Sequence, residues 1–418
     1  MVQLSNDCFA HGGGVLTLAA ALSRIAERVS PIAETQVLPL RRALHRVLAG
    51  DLVAGRNVPP HDNAAVDGYA VCFDDLNAKG DSRLPVTGRV AAGHPLERPA
   101  RRGEAIRVFT GAPMPPNLDT VFMEEDCRAE AEQVILPAGI KRGDNRRLTG
   151  EDVTTGAVIV PAGRLLRAQE LGIAASVGIT QLTVFRQLTV AVFSTGDEVC
   201  DPSGEAAPGS IFDANRFTLM SLAEALGCRV EDLGILPDRP QAVARSLLAA
   251  AEKYDVLLTS GGVSGGEEDH VAKVVGEKGK LHFWRLAIKP GRPVALGQIG
   301  NATFIGLPGN PVAAMVTFLR VARPILLRLA GRDDVVPTLF AVRAGFSFQK
   351  KEGRREWLRV WLEHSSGGAP VAHRCAADGA GMLSSMVAAD GLVELAEEVQ
   401  RVNEGALVDF LPFSEVTH

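Results

Sequence analysis

The spacing of apolar residues along the chain changes character several times. Leu22, Ile25, Ala26 and Val29 recur at helical intervals and predict an amphipathic helix near the N-terminus. From about Val53 to Asn145 short strand-like runs alternate with Gly, Pro and Asn turns, and Leu165–Thr180 returns to helical spacing. The central third alternates strand and helix. "LTVAVFST" (Leu188–Thr195) is an apolar run of buried-strand type; Leu219, Leu222, Ala223 and Leu226 mark a helix stopping near Gly227. A helix over Gln241–Lys253 precedes the strand "YDVLLTS", and "ATFIGLPGNP" supplies another strand before the helical run "VAAMVTFLRVARPILLRLAG". This alternation predicts a central open, mostly parallel sheet of the α/β class. After Gly331, "TLFAVRAGFSF", "REWLRVWLEH", "GLVEL" and "ALVDFLPF" read as strands of a small β domain.

At 418 residues, several domains are expected. The 46% hydrophobic and 22% charged fractions are those of a water-soluble globular chain. A net charge of −5 offers no overall basic field, so nucleic acid is not an expected partner. Val294–Leu319 is uncharged but carries Gln298, Asn301, Pro308, Asn310 and Pro311, which suit a protein core rather than lipid. The six cysteines lack a C-x-x-C pair, and the start "MVQLSNDCFAHGGG" lacks a secretory pattern; a cytoplasmic protein with reduced thiols is expected.

In an open parallel sheet, ligands lie beyond the carboxyl ends of the strands. Three loops leave strands at such ends: "STGDE" (Ser194, Thr195, Gly196, Asp197, Glu198), "SGGVSGGEED" (with Gly261, Gly262, Ser264 and Asp269) and "GLPGNP" (with Pro308, Gly309 and Pro311). Glycines let backbone N–H groups converge on an oxyanion at a helix N-terminus. Carboxylates there would repel a bare phosphate but suit one that carries Mg²⁺. Asp197, Glu198 and Asp269 are therefore candidate metal ligands, or acceptors of metal-bound water. Complementing a helix dipole is the alternative for each, and the preferred one for Glu267 and Glu268. "IKPGRP" places Lys289 and Arg292 in a turn just before the third loop, where they would neutralise an anion. Gly262–Gly266 also fits G-x-S-x-G, the nucleophile elbow of serine hydrolases, with "HGGG" upstream and His364, His373 and Asp378 as conceivable partners for Ser264. That alternative leaves "STGDE" and "GLPGNP" unexplained.

The ordered set "VPPHDNAAVDGYAV" (Val58–Val71), "FTGAPMPPNLDTVFMEED" (Phe109–Asp126), "GDNRRLTGEDV" (Gly143–Val153), "STGDE", "IFDANR" (Ile211–Arg216), "SGGVSGGEED", "LAIKPGRP" (Leu286–Pro293) and "GLPGNPVAA" (Gly306–Ala314) resembles the molybdopterin molybdenumtransferases of the MoeA type, also seen as the E domain of gephyrin. The resemblance runs almost end to end. It implies a four-part protomer in a homodimer: a discontinuous N-terminal unit (14–52 and 146–187), an inserted β-rich arm (53–145), a molybdopterin-binding α/β unit (188–331) and a C-terminal β-barrel-like unit (332–418). It implies molybdenum insertion from molybdate into the dithiolene of adenylylated molybdopterin, with AMP released and Mg²⁺ required. A molybdopterin adenylyltransferase is the implied upstream partner. The implied cleft combines the α/β unit of one subunit with N-terminal residues of the other. By matching motif positions, Asp67, Thr110, Asp152, Glu198, Asp238 and Asp269 are implied to be important for activity, as are Lys289, Pro308 and Pro311. Asp62, Asn63 and Tyr69 of the hallmark are expected to be structural. Val66, Gly265, Arg285 and Arg292 depart from the usual residues without removing a carboxylate. A gephyrin-like scaffold without catalysis is the remaining alternative.

Overall fold

The computed structural model describes residues 9–10, 14–31, 34–262, 269–363, 368–376 and 379–417. The expected Ser264, Gly265, Glu267 and Glu268, together with the "HGGG" run, His364 and Asp378, lie outside them in whole or in part.

The largest sheet has seven strands in the spatial order Val15–Leu16, Lys280–Leu286, Pro293–Ile299, Ala302–Leu307, Val256–Ser260, Thr189–Thr195 and Arg229–Leu236. The last four are mutually parallel. Three of them, Ala302–Leu307, Val256–Ser260 and Thr189–Thr195, are buried on both faces and read as apolar runs, whereas Arg229–Leu236 ends the sheet with only Leu236 buried. Alternate residues feed opposite layers. Val190, Val192, Val256 and Leu258 join Leu219, Leu222 and Val316 in one core. Ala191, Phe193 and Leu257 join Val243, Leu247 and Val274 in the other.

Pro293–Ile299 runs antiparallel to both of its neighbours. The sequence pattern did not announce the Lys280–Leu286/Pro293–Ile299 hairpin. The alternation of Lys280–Leu286 is blurred because only Trp284 and Leu286 are buried on it. Helix starts follow local rules: Asp213 Oδ1 accepts the N–H of Arg216 at 3.1 Å, and Pro240 and Pro311 open their helices at the first turn. The apolar run after Pro311 is helical throughout, but it widens into a π turn at Phe318–Ala322 just before Pro324.

The N-terminal helix, Leu18–Arg28, buries Leu18, Ala21 and Ile25 in the core of this sheet. Residues 15–28 thus pack on the large sheet, and from Thr35 onward the chain pairs elsewhere. There, Thr35–Pro39 pairs with Gln181–Phe185, and Leu52–Val53 with Val158–Val160. Between these halves lies the arm, a six-stranded sheet ordered Thr120–Met123, Gly68–Val71, Ala105–Val108, Ser82–Val90, Gln133–Leu136 and Arg128–Glu130. At the C-terminus, Phe340–Ala344, Arg355–Glu363, Val371–Arg374, Gly391–Leu395 and Leu407–Pro412 close into a five-stranded barrel. The short strand Ile288–Lys289 pairs with Arg355 and Glu356, fastening the "IKPGRP" turn to the barrel.

Candidate active site

Thr195, Leu236, Ser260 and Leu307 end parallel strands that lie side by side. Their loops therefore leave one edge of the sheet together, as the position of the glycine-acid motifs requires. They enclose a cleft of about 380 Å³ lined by Ser194, Thr195, Gly196, Glu198, Asp213, Asn215, Asp238, Gly261, Gly262, His270, Gly309 and Pro311.

Close packing of these loops depends on missing side chains. Gly261 has φ +79°, and at Gly262 (φ +61°) a Cβ would stand 2.9 Å from Thr195 Oγ1. At Gly196 (φ +126°) a Cβ would come within 2.7 Å of Glu198 Oε2, so the Glu198 carboxylate folds over the glycine it follows. Asn215 Nδ2 donates to the Gly309 carbonyl at 2.7 Å and ties "IFDANR" to "GLPGNP". Two polar atoms of the lining, Ser194 Oγ and His270 Nδ1, are buried without a hydrogen-bond partner among the described residues. Such atoms are costly unless a ligand or water meets them.

The carboxylates are distributed unevenly. Glu198 and Asp238 line the cleft. Asp197 is exposed beside it, and Asp269 is buried as the N-cap of His270–Lys278, next to Gly262. Among the described residues, no three His, Cys, Asp or Glu side chains are gathered into a ready-made metal site. The rim fits Mg²⁺ in the manner usual for nucleotide sites, with one or two carboxylates and the remaining ligands drawn from phosphate and water.

A second cavity, about 540 Å³, adjoins the first and shares Gly261, Gly262, Gly309 and Asn310 with it. Its character is opposite. Lys289, Arg292 and Arg359 line it, together with Pro308, Trp357 and Glu356. Lys289 Nζ lies 3.2 Å from Glu356 Oε2, a nearly buried carboxylate that holds the ammonium in place. Arg359 Nε donates to Ser385 Oγ at 3.1 Å. Arg359, Trp357 and Ser385 escaped sequence reasoning because barrel strands carry no glycine-loop signature. Asn215 sat inside a quoted motif and His270 directly after one, but neither had a feature to single it out.

Asp67, Thr110 and Asp152 line neither cavity. The first two are each other's partners: Asp67 Oδ1 accepts the Thr110 N–H at 2.7 Å and its hydroxyl at 2.8 Å. Those bonds hold the Asp67 carboxyl below its usual range, so it is ionised at neutral pH. Asp62 makes the same clasp on Thr149, and Tyr69 is buried against Arg107, in keeping with structural roles. The hydrolase alternative gains no support. His373 pairs with Glu363 at 2.7 Å and stacks on Trp361 in the barrel, and it lines neither cavity.

With this geometry in view, the comparisons with known proteins are unambiguous. Residues 16–178 match the MoeA N-terminal region (domain I and II), 191–328 the probable molybdopterin binding domain, and 341–413 the MoeA C-terminal region (domain IV). A molybdopterin molybdenumtransferase of Haemophilus influenzae is 36% identical over 404 residues, covering 96% of this chain and 100% of that protein. The chain belongs to the MoeA family. A second MoeA-family relative, the molybdopterin molybdenumtransferase of a Nostoc species, is 33% identical over 78% of this chain and 77% of its own length. The crystal structure of a molybdopterin biosynthesis MoeA protein from Pyrococcus horikoshii superposes with a TM-score of 0.75 at 31% identity, covering 96% of this chain and 99% of that one. Another from the same organism reaches 0.81 at 27% identity. The three matched regions thus cover the arm, the large sheet and the barrel in the order in which the sequence motifs run.

Proposed function

We propose that this chain transfers molybdenum from molybdate to the dithiolene of adenylylated molybdopterin and releases AMP, a step of molybdenum cofactor biosynthesis. The observation that carries this reading is the pair of adjoining cavities, one glycine- and carboxylate-lined and one cationic, joined through Gly261, Gly262, Gly309 and Asn310. The first suits the pyrophosphate-linked pterin. Backbone N–H groups at the starts of the following helices face phosphate oxygens, and Ser194 and His270 supply polar atoms that are otherwise unpaired. The second suits a tetrahedral dianion, held by Lys289, Arg292 and Arg359. Two anionic substrates repel each other, and fixing them in abutting pockets replaces that repulsion with local attraction. Glu198 and Asp238 would hold Mg²⁺, which would supply charge neutralisation across the phosphates; Asp197 and Asp269 support the rim from outside and from beneath.

Asp67 and Thr110 of the arm, with Asp152 just after it, complete the cleft of a second copy of the chain in a homodimer. An enzyme that adenylylates molybdopterin is the upstream partner. Among the described residues no helix is long and apolar enough to cross a membrane, and the place of work is the cytoplasm.

Incubation with adenylylated molybdopterin, Mg²⁺ and molybdate tests the proposal. AMP appears only when molybdate is present, and the Glu198→Ala variant loses this release while keeping its far-UV spectrum. Equal AMP with and without molybdate would sink the assignment.

A further inference from the structure

A third cavity, about 820 Å³, lies where the edge of the large sheet meets the barrel loop Lys351–Arg354. Arg285, Arg292, Lys351 and Arg354 line it against a single carboxylate, Glu352, a local balance of +3 on a chain of net charge −5. Cations close by in sequence are matched: Lys289 by Glu356, and Arg355 by Glu394 and Glu397. None of the four lining cations has an ion-pair partner among the described residues, and Glu352 accepts instead from Gln400 at 2.7 Å. Four like charges around one hollow repel each other, and an arrangement of this kind raises the local concentration of small anions. Arg292 and Pro293 line this cavity and the cationic second cavity alike.

The geometry points to an antechamber for a small tetrahedral oxyanion, which passes by way of Arg292 to the pocket that holds it for reaction. This rests on the proposed function, since molybdate is then the oxyanion delivered. The hollow is far roomier than such an ion requires, so it captures the hydrated anion by field rather than by fitted hydrogen bonds. Lys351 and Arg354 belong to the antechamber alone.

The test compares wild type with a Lys351→Glu/Arg354→Glu double variant and a conservative Lys351→Arg/Arg354→Lys double variant, measuring AMP release against molybdate concentration. At low ionic strength the charge-reversed protein shows a KM for molybdate raised roughly tenfold with kcat unchanged. The gap narrows towards 1 M salt, where the Debye length is about 3 Å. The conservative variant follows wild type. Equilibrium dialysis with molybdate alone gives a readout independent of turnover, with weaker binding by the charge-reversed protein only. Unchanged KM and unchanged dialysis, or a fall in kcat at saturating molybdate, overturns the antechamber. Absence of molybdate-dependent AMP from wild type, with the dialysis difference intact, overturns the proposed reaction instead.

Discussion

Glu198 owes its position at the cleft to the residue two places before it. The left-handed backbone at Gly196 leaves room for the carboxylate to fold back, and a methyl group there would occupy its place. Gly196→Ala is expected to lower kcat by roughly 10²-fold while the circular dichroism spectrum stays that of wild type, because small displacements of a positioned group are costly to turnover. A second residue-scale expectation concerns acid. Glu170 accepts from the Arg167 side chain at 2.6 Å and from the Arg167 N–H at 3.0 Å, and these bonds lower its carboxyl pKa to about 2. The folded pKa lies below the unfolded one, so the contribution of Glu170 to stability is complete above an ordinary carboxylate pKa and drains away as pH falls towards 2. Glu170→Gln should flatten the dependence of urea midpoint on pH between about 2 and 4.5. A variant whose midpoint tracks wild type across that window would remove Glu170 from the acid response.

Buried ion pairs fasten separate elements of the chain to one another. Arg320, on the π turn that follows the "GLPGNP" helix, meets Glu394 of the barrel at 3.1 Å, and both side chains are nearly inaccessible. Glu394 also accepts from Trp357 Nε1 at 2.9 Å and from Arg355. Since Trp357 lines the cationic cavity, this joint sets the barrel wall against the sheet. Glu394→Ala strands a buried guanidinium and should cost about 3–5 kcal/mol in thermal or denaturant unfolding. A loss below 1 kcal/mol would show that solvent reaches the joint. On the opposite side of the cleft Arg216, 3% exposed, pairs with Asp213 at 3.0 Å, with Asp232 at 2.6 Å and with Asp201. It thereby connects the stretch after Glu198, the start of the helix Ala214–Ala225 and the outermost parallel strand.

At the scale of the whole molecule, the predicted site residues fall into two groups. Glu198, Asp238, Gly261, Gly262, Lys289, Arg292 and Gly309 converge on the rim, whereas Asp67, Thr110 and Asp152 line neither of the cavities there. The proposed homodimer, in which N-terminal residues of each chain complete the other's cleft, would account for both groups, and mixing tests it. Chains carrying Asp67→Asn and chains carrying Glu198→Ala should each be inactive alone. After co-refolding at equal amounts they should recover roughly a quarter of wild-type AMP release, since half of randomly assorted dimers then hold one intact cleft. No recovery from dimers shown to have exchanged would place both residues in a single-chain site.

The sequence by itself settled the parallel core, the helices flanking it and the placing of small residues where the strands end, because strands buried on both faces must be apolar and a loop packed as closely as Gly262 is on Thr195 has no room for a side chain. It also carried the family, through motifs whose order runs the length of the chain. It was silent on matters that depend on distant parts of the chain meeting. The hairpin Lys280–Leu286/Pro293–Ile299 is blurred in pattern because its burial is uneven. Arg359 and Trp357 gain meaning only when barrel closure turns them towards Lys289. Residues 15–28 read as the start of the N-terminal unit, yet Leu18, Ala21 and Ile25 find their apolar partners in the sheet core. Local pattern fixes which elements form; which charges share a cavity is decided by packing between elements hundreds of residues apart, and periodicity holds no record of it.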